Sequence, residues 1–215
     1  MKISTAIFDL DGTVIDSEDV WGRAFCRVLK NLGAIAKSEH PEEPGFSIKE
    51  SWKRLIPEYG IKTEKTLDEL RSLTYSEYEK EIPQIGLQDN VVDLIEDLKE
   101  SGIVIVLATG TIWEIADKIM MNLKIENLFD NIVTGDEVLN QKPDPEIFNK
   151  VIEKLDVDPN ECLVFEDSLP GILAAKEAGM KVIAIDPTGE NAKLEEAHQV
   201  IGSFSEVTPK VIDSL

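Results

Sequence analysis

Residues 103–107, Ile-Val-Ile-Val-Leu, restrict the fold of this chain more than any other segment, because all five side chains are apolar. A short β-branched strand that is apolar on both faces is typical of a parallel sheet covered by helices on both sides. Further strands are predicted at residues 3–8, 132–133, 163–165, 182–185 and 200–201. Helical patterns separate most of these strands, and this alternation predicts an α/β fold with a doubly wound, mostly parallel sheet.

The segment between residues 16 and 85 differs from the rest of the chain, because it has helical patterns but no strand pattern. We therefore predict two domains: an α/β core of residues 1–15 and 86–215, and a small α-helical cap of residues 16–85. The cap is inserted directly after the first strand. This position would place it over the carboxyl end of that strand.

Two aspartates, Asp9 and Asp11, follow the first predicted strand, and Gly12 comes directly after them. Burying carboxylates at the end of a core strand costs free energy unless a counter-charge compensates them. A divalent cation is a natural compensator because it prefers oxygen ligands. An ordinary acidic turn explains this short motif about as well as a cation site does. The residues at the other strand ends are needed to distinguish these two interpretations.

Thr109 and Gly110 follow the strand at 103–107. A hydroxyl and an accessible backbone N–H at the start of a helix suit an oxyanion such as phosphate. A plain helix cap by Thr109 or Thr111 is the simpler explanation of this segment taken alone.

Two more adjacent carboxylates, Glu166 and Asp167, follow the strand at 163–165 and strengthen the case for a cation. Asp167 or Ser168 could cap the next helix, but capping does not explain Glu166 as well. Lys142 lies in a loop stiffened by Pro143, before another helix of the same edge. As a compact point charge it could neutralise both a nucleophilic carboxylate and a bound phosphate.

The net charge of −20 argues against nucleic acid and anionic membrane surfaces as partners. An anionic substrate would have to be attracted locally, through a metal ion, a lysine and backbone N–H groups. The two cysteines match no zinc or redox spacing. No signal-peptide pattern or long apolar run is evident, so we expect a cytoplasmic protein, and we expect it to be a monomer.

Together these segments resemble the haloacid dehalogenase-like (HAD) hydrolase superfamily, in its phosphatase and β-phosphoglucomutase branch. The resemblance rests on four segments that occur in the family's order, namely Asp9–Thr13, Thr109, Lys142–Pro145 and Glu166–Ser168. It spans nearly the whole chain. The helical insertion resembles the α-helical cap that this family carries between its first and second motifs.

The resemblance implies phosphoryl transfer. By similarity, Asp9 is the nucleophile that forms an aspartyl-phosphate, and Asp11 is the general acid and then the general base. The implied cofactor is Mg²⁺, held by the Asp9 carboxylate, the Asp11 backbone carbonyl and Asp167, with Glu166 as a ligand or as the holder of a metal-bound water. Thr109, the Gly110 N–H and Lys142 would bind the phosphoryl oxygens.

Departures from the family pattern separate its subclasses. The haloacid dehalogenases lack the second aspartate, so Asp11 favours a phosphatase. The mutases carry a histidine and an arginine in the cap, where this chain has Trp21 and Ile48, with Lys49 next to it. We therefore predict that Trp21 and Lys49 help to select the substrate.

The expected function is a Mg²⁺-dependent phosphatase acting on a small phosphorylated metabolite, such as a sugar phosphate. Two alternatives stay open. One is a β-phosphoglucomutase-like phosphomutase. The other is a non-catalytic domain that senses a phosphate or a metabolite.

Overall fold

The computed structural model describes residues 3–43, 45–189 and 191–213. Its strands are β1 (Thr5–Phe8), β2 (Ile15–Asp16), β3 (Gly86–Leu87), β4 (Val104–Ala108), β5 (Asn131–Val133), β6 (Cys162–Glu166), β7 (Lys181–Ile185) and β8 (Gln199–Ile201). One sheet has the order β5-β4-β1-β6-β7-β8, and all its neighbouring strands are parallel. The strands β2 and β3 form a separate antiparallel ribbon.

The helices are α1 (Glu18–Asn31), α2 (Ile48–Glu58), α3 (Leu67–Glu79), α4 (Val91–Glu100), α5 (Trp113–Leu123), α6 (Glu146–Leu155), α7 (Leu169–Glu177) and α8 (Pro209–Asp213). Helix α6 has Pro145 at its N-cap, and the Asp144 side chain accepts a hydrogen bond from the Glu146 N–H at 3.0 Å. None of the helices in the described ranges has both the length and the apolar character needed to cross a membrane.

Alternate side chains of the central strands enter two separate apolar layers. Phe8 of β1 and Leu107 of β4 lie in one layer with side chains of α4 and α5. Ile7 and Val106 lie in the other layer with side chains of α6 and α7. Since side chains of a strand alternate between its faces, the all-apolar run requires both layers. The predicted doubly wound parallel sheet is therefore confirmed.

The helices α1, α2 and α3 lie in the insertion between β2 and β3. Capping boxes begin two of them, at Ser47 for α2 and at Thr66 for α3. Trp52 is fully buried, and its Nε1 donates to Thr74 Oγ1 at 2.9 Å. Both connections between the insertion and the core run through the β2–β3 ribbon. The sequence pattern did not reveal this ribbon, because each of its strands has only two residues.

We expect Thr74→Val to lower the free energy of unfolding by about 1–3 kcal/mol, because it leaves the buried Trp52 N–H without an acceptor. Equilibrium urea unfolding followed by tryptophan fluorescence measures the change. Thr74→Ser keeps the hydroxyl and serves as the control. A Thr74→Val protein as stable as the Thr74→Ser protein would contradict this role of the hydrogen bond.

Candidate active site

The carboxyl ends of three neighbouring strands bring the predicted site residues together. Strand β1 lies between β4 and β6, so the residues that follow these strands share one edge of the sheet. A cavity of about 350 Å³ lies between this edge and the helical insertion. Its lining includes all but one of the predicted site residues, namely Asp9, Asp11, Trp21, Lys49, Thr109, Gly110, Lys142 and Asp167. The remaining one, Glu166, is fully buried behind Lys142.

Lys142 is the buried cation of this edge. Its Nζ donates to Asp9 Oδ1 at 2.5 Å, to Glu166 Oε1 and to the Ala108 carbonyl at 3.3 Å. Burial disfavours the ammonium, but the charges of Asp9 and Glu166 outweigh it and raise the pKa of Lys142 above its ordinary value. The side chain is therefore a permanent positive charge against the predicted nucleophile.

The carboxylates around Lys142 can carry more negative charge than its single ammonium group balances. Burial, opposed by Lys142, raises the pKa of Asp9 to about 8. Burial, with the charges of Glu166 and Asp9, raises the pKa of Asp167 well above its ordinary value. When Asp9, Glu166 and Asp167 are all ionised, the single ammonium leaves two negative charges uncompensated, and the raised pKa values reflect this; a divalent cation would supply the missing charge.

The donor set fits Mg²⁺ with few protein ligands. Within the described part of the chain, no donor reaches Asp9 Oδ2 or Asp167 Oδ2, whereas both oxygens of Glu166 accept hydrogen bonds. No three His, Cys, Asp or Glu side chains of the described residues already converge as a metal cluster. Mg²⁺ commonly uses one or two carboxylates and keeps several waters, so Asp9 and Asp167 are its best carboxylate ligands here. Glu166 positions Lys142 and the turn at Ser168.

Gly12 allows the first and last motifs to touch. Its φ is +79°, and a Cβ at this position would lie 2.0 Å from Asp167 Oδ2. Only glycine accommodates both the backbone angle and the close approach. The neighbouring Thr13 Oγ1 then donates to Asp167 Oδ1 at 3.1 Å.

Asp11 accepts four hydrogen bonds from side chains. Ser17 Oγ and Trp21 Nε1 donate to its Oδ1 at 2.8 Å each, and Tyr78 OH donates to the same oxygen at 3.0 Å. Thr111 Oγ1 donates to Oδ2 at 2.7 Å. Trp21 and Tyr78 belong to α1 and α3, and their rings stack with centroids 3.9 Å apart. The insertion therefore holds the orientation of Asp11 directly.

The turn after β4 forms the wall of the cavity that the sequence predicts to bind an oxyanion. Thr109 is buried and its Oγ1 accepts from the Thr111 N–H at 3.0 Å. The Gly110 N–H has no acceptor among the described residues and borders the cavity. Backbone and hydroxyl donors near Lys142 make this wall suitable for phosphoryl oxygens.

The two predicted cap residues differ in their surroundings. Trp21 borders the cavity and also donates to Asp11, which the sequence pattern did not predict. Lys49 borders the cavity but pairs with Asp68 at 2.7 Å, and Arg71 reaches the same carboxylate at 3.3 Å. The positive charge of Lys49 is therefore already paired with Asp68 of the same chain.

Sequence reasoning missed three further residues that touch the predicted catalytic groups, namely Ser17, Tyr78 and Thr111. Tyr78 keeps a helical spacing with Leu70 and Thr74, so its pattern resembles that of any packing residue. Thr111 and Ser17 stand where a helix cap is the simplest explanation. No local signal marks these hydroxyls as partners of Asp11.

The comparisons with known proteins agree with this geometry. A phosphorylated carbohydrates phosphatase of Thermotoga maritima is 35% identical over 187 residues, which are 84% of each chain. Hexitol phosphatase B of Escherichia coli K12 is 29% identical over 216 residues, covering 97% of this chain and 96% of the relative. The crystal structure of CbbY from Rhodobacter sphaeroides in complex with phosphate superposes with a TM-score of 0.84 at 26% identity, covering 95% of this chain and 96% of that one.

A family model described as haloacid dehalogenase-like hydrolase matches residues 6–185. The match contains all four motif segments as well as the helical insertion between the first and the second. It confirms the resemblance that the motifs indicated. On the order of the motifs, the parallel sheet and these matches, the chain belongs to the haloacid dehalogenase-like hydrolase family.

Proposed function

We propose that this protein is a Mg²⁺-dependent phosphatase that hydrolyses a small phosphorylated metabolite of the sugar phosphate class through an aspartyl-phosphate on Asp9. The observation that carries the proposal is the buried contact of Lys142 with Asp9 on the wall of the cavity. The relatives named as phosphatases of phosphorylated carbohydrates and hexitols support the reaction and the substrate class. Asp11 favours the same reaction, because it is the second aspartate of the first motif, which the haloacid dehalogenases lack.

In the first step, an Asp9 carboxylate oxygen attacks the phosphorus atom and the bond from phosphorus to the ester oxygen breaks. Asp11 donates its proton to the leaving oxygen, so the alcohol departs neutral. Lys142, the Gly110 N–H and Thr109 hold the phosphoryl oxygens. Phosphoryl transfer depends mainly on such positioning and on charge neutralisation.

In the second step, a water molecule attacks the phosphorus atom of the aspartyl-phosphate. Asp11, now deprotonated, takes a proton from this water, and the bond between phosphorus and the Asp9 oxygen breaks. Inorganic phosphate leaves and both aspartates return to their starting states. Asp9 and Asp167 would hold Mg²⁺, which when bound supplies positive charge against the transferring phosphoryl group.

The two alternatives predict different outcomes of the same assay. A phosphomutase converts one sugar phosphate isomer into another with little free phosphate. A sensing domain binds without turnover, and it has no need for a general acid held by four donors as Asp11 is. Trp21 and Ile48 stand where the mutases have histidine and arginine, so the phosphatase is the better supported function.

Asp9→Asn should abolish phosphate release from p-nitrophenyl phosphate and from sugar phosphates, lowering kcat by about 10³-fold or more, because it removes the nucleophile. A phosphate assay with Mg²⁺ and with EDTA measures the loss. Asp89→Asn, an exposed residue outside the cavity, is the control. Activity of Asp9→Asn within tenfold of the wild type would contradict the proposal.

Mg²⁺ should stabilise the folded protein even without substrate, because it compensates the excess carboxylate charge. At 100 times its Kd a ligand contributes about 2.7 kcal/mol, which raises the Tm of a chain of this size by about 5–10 °C. Thermal unfolding with MgCl₂ and with EDTA measures the shift. Asp167→Asn should lose most of this response, and an equal shift in both proteins would contradict the role of Asp167.

Tyr78→Phe removes one of the donors that orient Asp11 and should lower kcat/KM for alkyl phosphates by about tenfold, the equivalent of ~1.4 kcal/mol. The loss should be smaller for p-nitrophenyl phosphate, because nitrophenolate leaves without a proton from Asp11. Tyr59→Phe, outside the cavity, is the control. Equal losses for both substrates would indicate a general structural effect rather than one on proton transfer.

A further inference from the structure

The Gln141 side chain connects two loops at the wall of the cavity that carries Thr109 and Gly110. Its Nε2 donates to the Gly135 carbonyl, in the loop after β5, at 2.8 Å. Its Oε1 lies next to the turn after β4, since a Cβ on Gly110 would be only 3.3 Å from this oxygen. Gln141 directly precedes Lys142 in the chain and borders the cavity. It lies just outside the four motif segments, and its sequence context predicted no role for it.

Gly135 is in direct contact with the turn after β4. A Cβ on Gly135 would lie 2.0 Å from the Gly110 carbonyl oxygen and 2.7 Å from the carbonyl carbon, so only glycine permits this approach. The Gly135 N–H also donates to the Thr111 carbonyl at 3.1 Å. The backbone at Gly135 therefore sets where Gly110 and Thr111 can lie.

The hydrogen bond from Gln141 is what holds the carbonyl side of Gly135. No other donor of the described residues reaches the Gly135 carbonyl. The backbone of Gln141 is fixed in turn, because its own carbonyl accepts from the Asp144 N–H at 3.1 Å. A contact therefore runs from the start of α6 through Gln141 and Gly135 to the turn at Gly110.

This contact ends at a backbone donor that faces the cavity. The Gly110 N–H borders the cavity and has no acceptor among the described residues. A donor stabilises the charge that develops on a phosphoryl oxygen most when it is already oriented before the reaction begins. The loop that supplies the Lys142 ammonium thus also supplies the side chain that steadies this N–H.

The Gln141 side chain itself is poorly suited to hold a phosphoryl oxygen. Its Nε2 is used by Gly135, and its Oε1 is an acceptor, as a phosphoryl oxygen is. Two acceptors cannot form a hydrogen bond with each other. The geometry therefore favours an indirect role through Gly135.

We propose that Gln141 is a positioning residue that holds, through Gly135, the Gly110 N–H toward a phosphoryl oxygen. This inference rests on the phosphatase function proposed above and adds a residue that prepares its phosphate-binding wall.

Gln141→Met tests the proposal, because the methionine side chain is unbranched and has no hydrogen-bond donor. kcat/KM is measured with sorbitol 6-phosphate and with p-nitrophenyl phosphate. Isothermal titration calorimetry in MgCl₂ gives the Kd of inorganic phosphate, and thermal unfolding gives the Tm shift caused by Mg²⁺. Gln84→Met, an exposed position outside the cavity, is the matched control.

Gln141→Met should raise the Kd of inorganic phosphate by about threefold to tenfold, which corresponds to the loss of one neutral hydrogen bond. It should lower kcat/KM by about tenfold or more, because an oriented donor contributes most in the transition state. The loss should be the same for both esters, since the leaving group does not touch this wall. The Tm shift caused by Mg²⁺ should stay as in the wild type, because Asp9 and Asp167 remain in place. Gln84→Met should match the wild type throughout.

The possible failures have different meanings. An unchanged Kd and kcat/KM in Gln141→Met would overturn the role of Gln141. A parallel loss of the Tm shift caused by Mg²⁺ would overturn it as well, because it would indicate a general distortion of this edge of the sheet. If the wild type hydrolyses no ester but Gln141→Met still weakens binding of inorganic phosphate, the phosphatase function fails and the positioning role stands. If the wild type neither hydrolyses esters nor binds phosphate, both proposals fail.

Discussion

The buried ion contact of Lys142 with Asp9 and Glu166 is the interaction on which the rest of the site depends. A lysine and carboxylates taken from water are tolerated only when each has a partner, and here Lys142 serves two of them at once. Its partners come from the ends of β1 and β6, so the contact exists only when the parallel sheet is formed. The negative charge it leaves uncompensated suits this edge to the cation proposed above.

Asp11 connects this edge to the helical insertion. Two of its donors, Trp21 and Tyr78, belong to helices of the insertion, and Ser17 lies at the crossing next to β2. The proposed general acid and base is thereby oriented by the same structure that covers the cavity. The overall charge of −20 repels anions, so a phosphorylated substrate would have to be attracted by Lys142 and the backbone donors of this cavity.

Much of the fold could be predicted from local patterns. The run at 103–107 required helices on both faces, and alternation of short strands and helices predicted the parallel sheet that β1, β4 and β6 form. The pattern did not reveal the ribbon of β2 and β3, because two-residue strands have no measurable period.

The sequence by itself determined which residue types stand at the strand ends, because Asp9, Lys142 and Asp167 belong to motifs whose chemistry can be recognised without coordinates. Only the tertiary structure decided what surrounds them. The four donors to Asp11 come from segments up to 100 residues away in the chain, and no local pattern records such a contact.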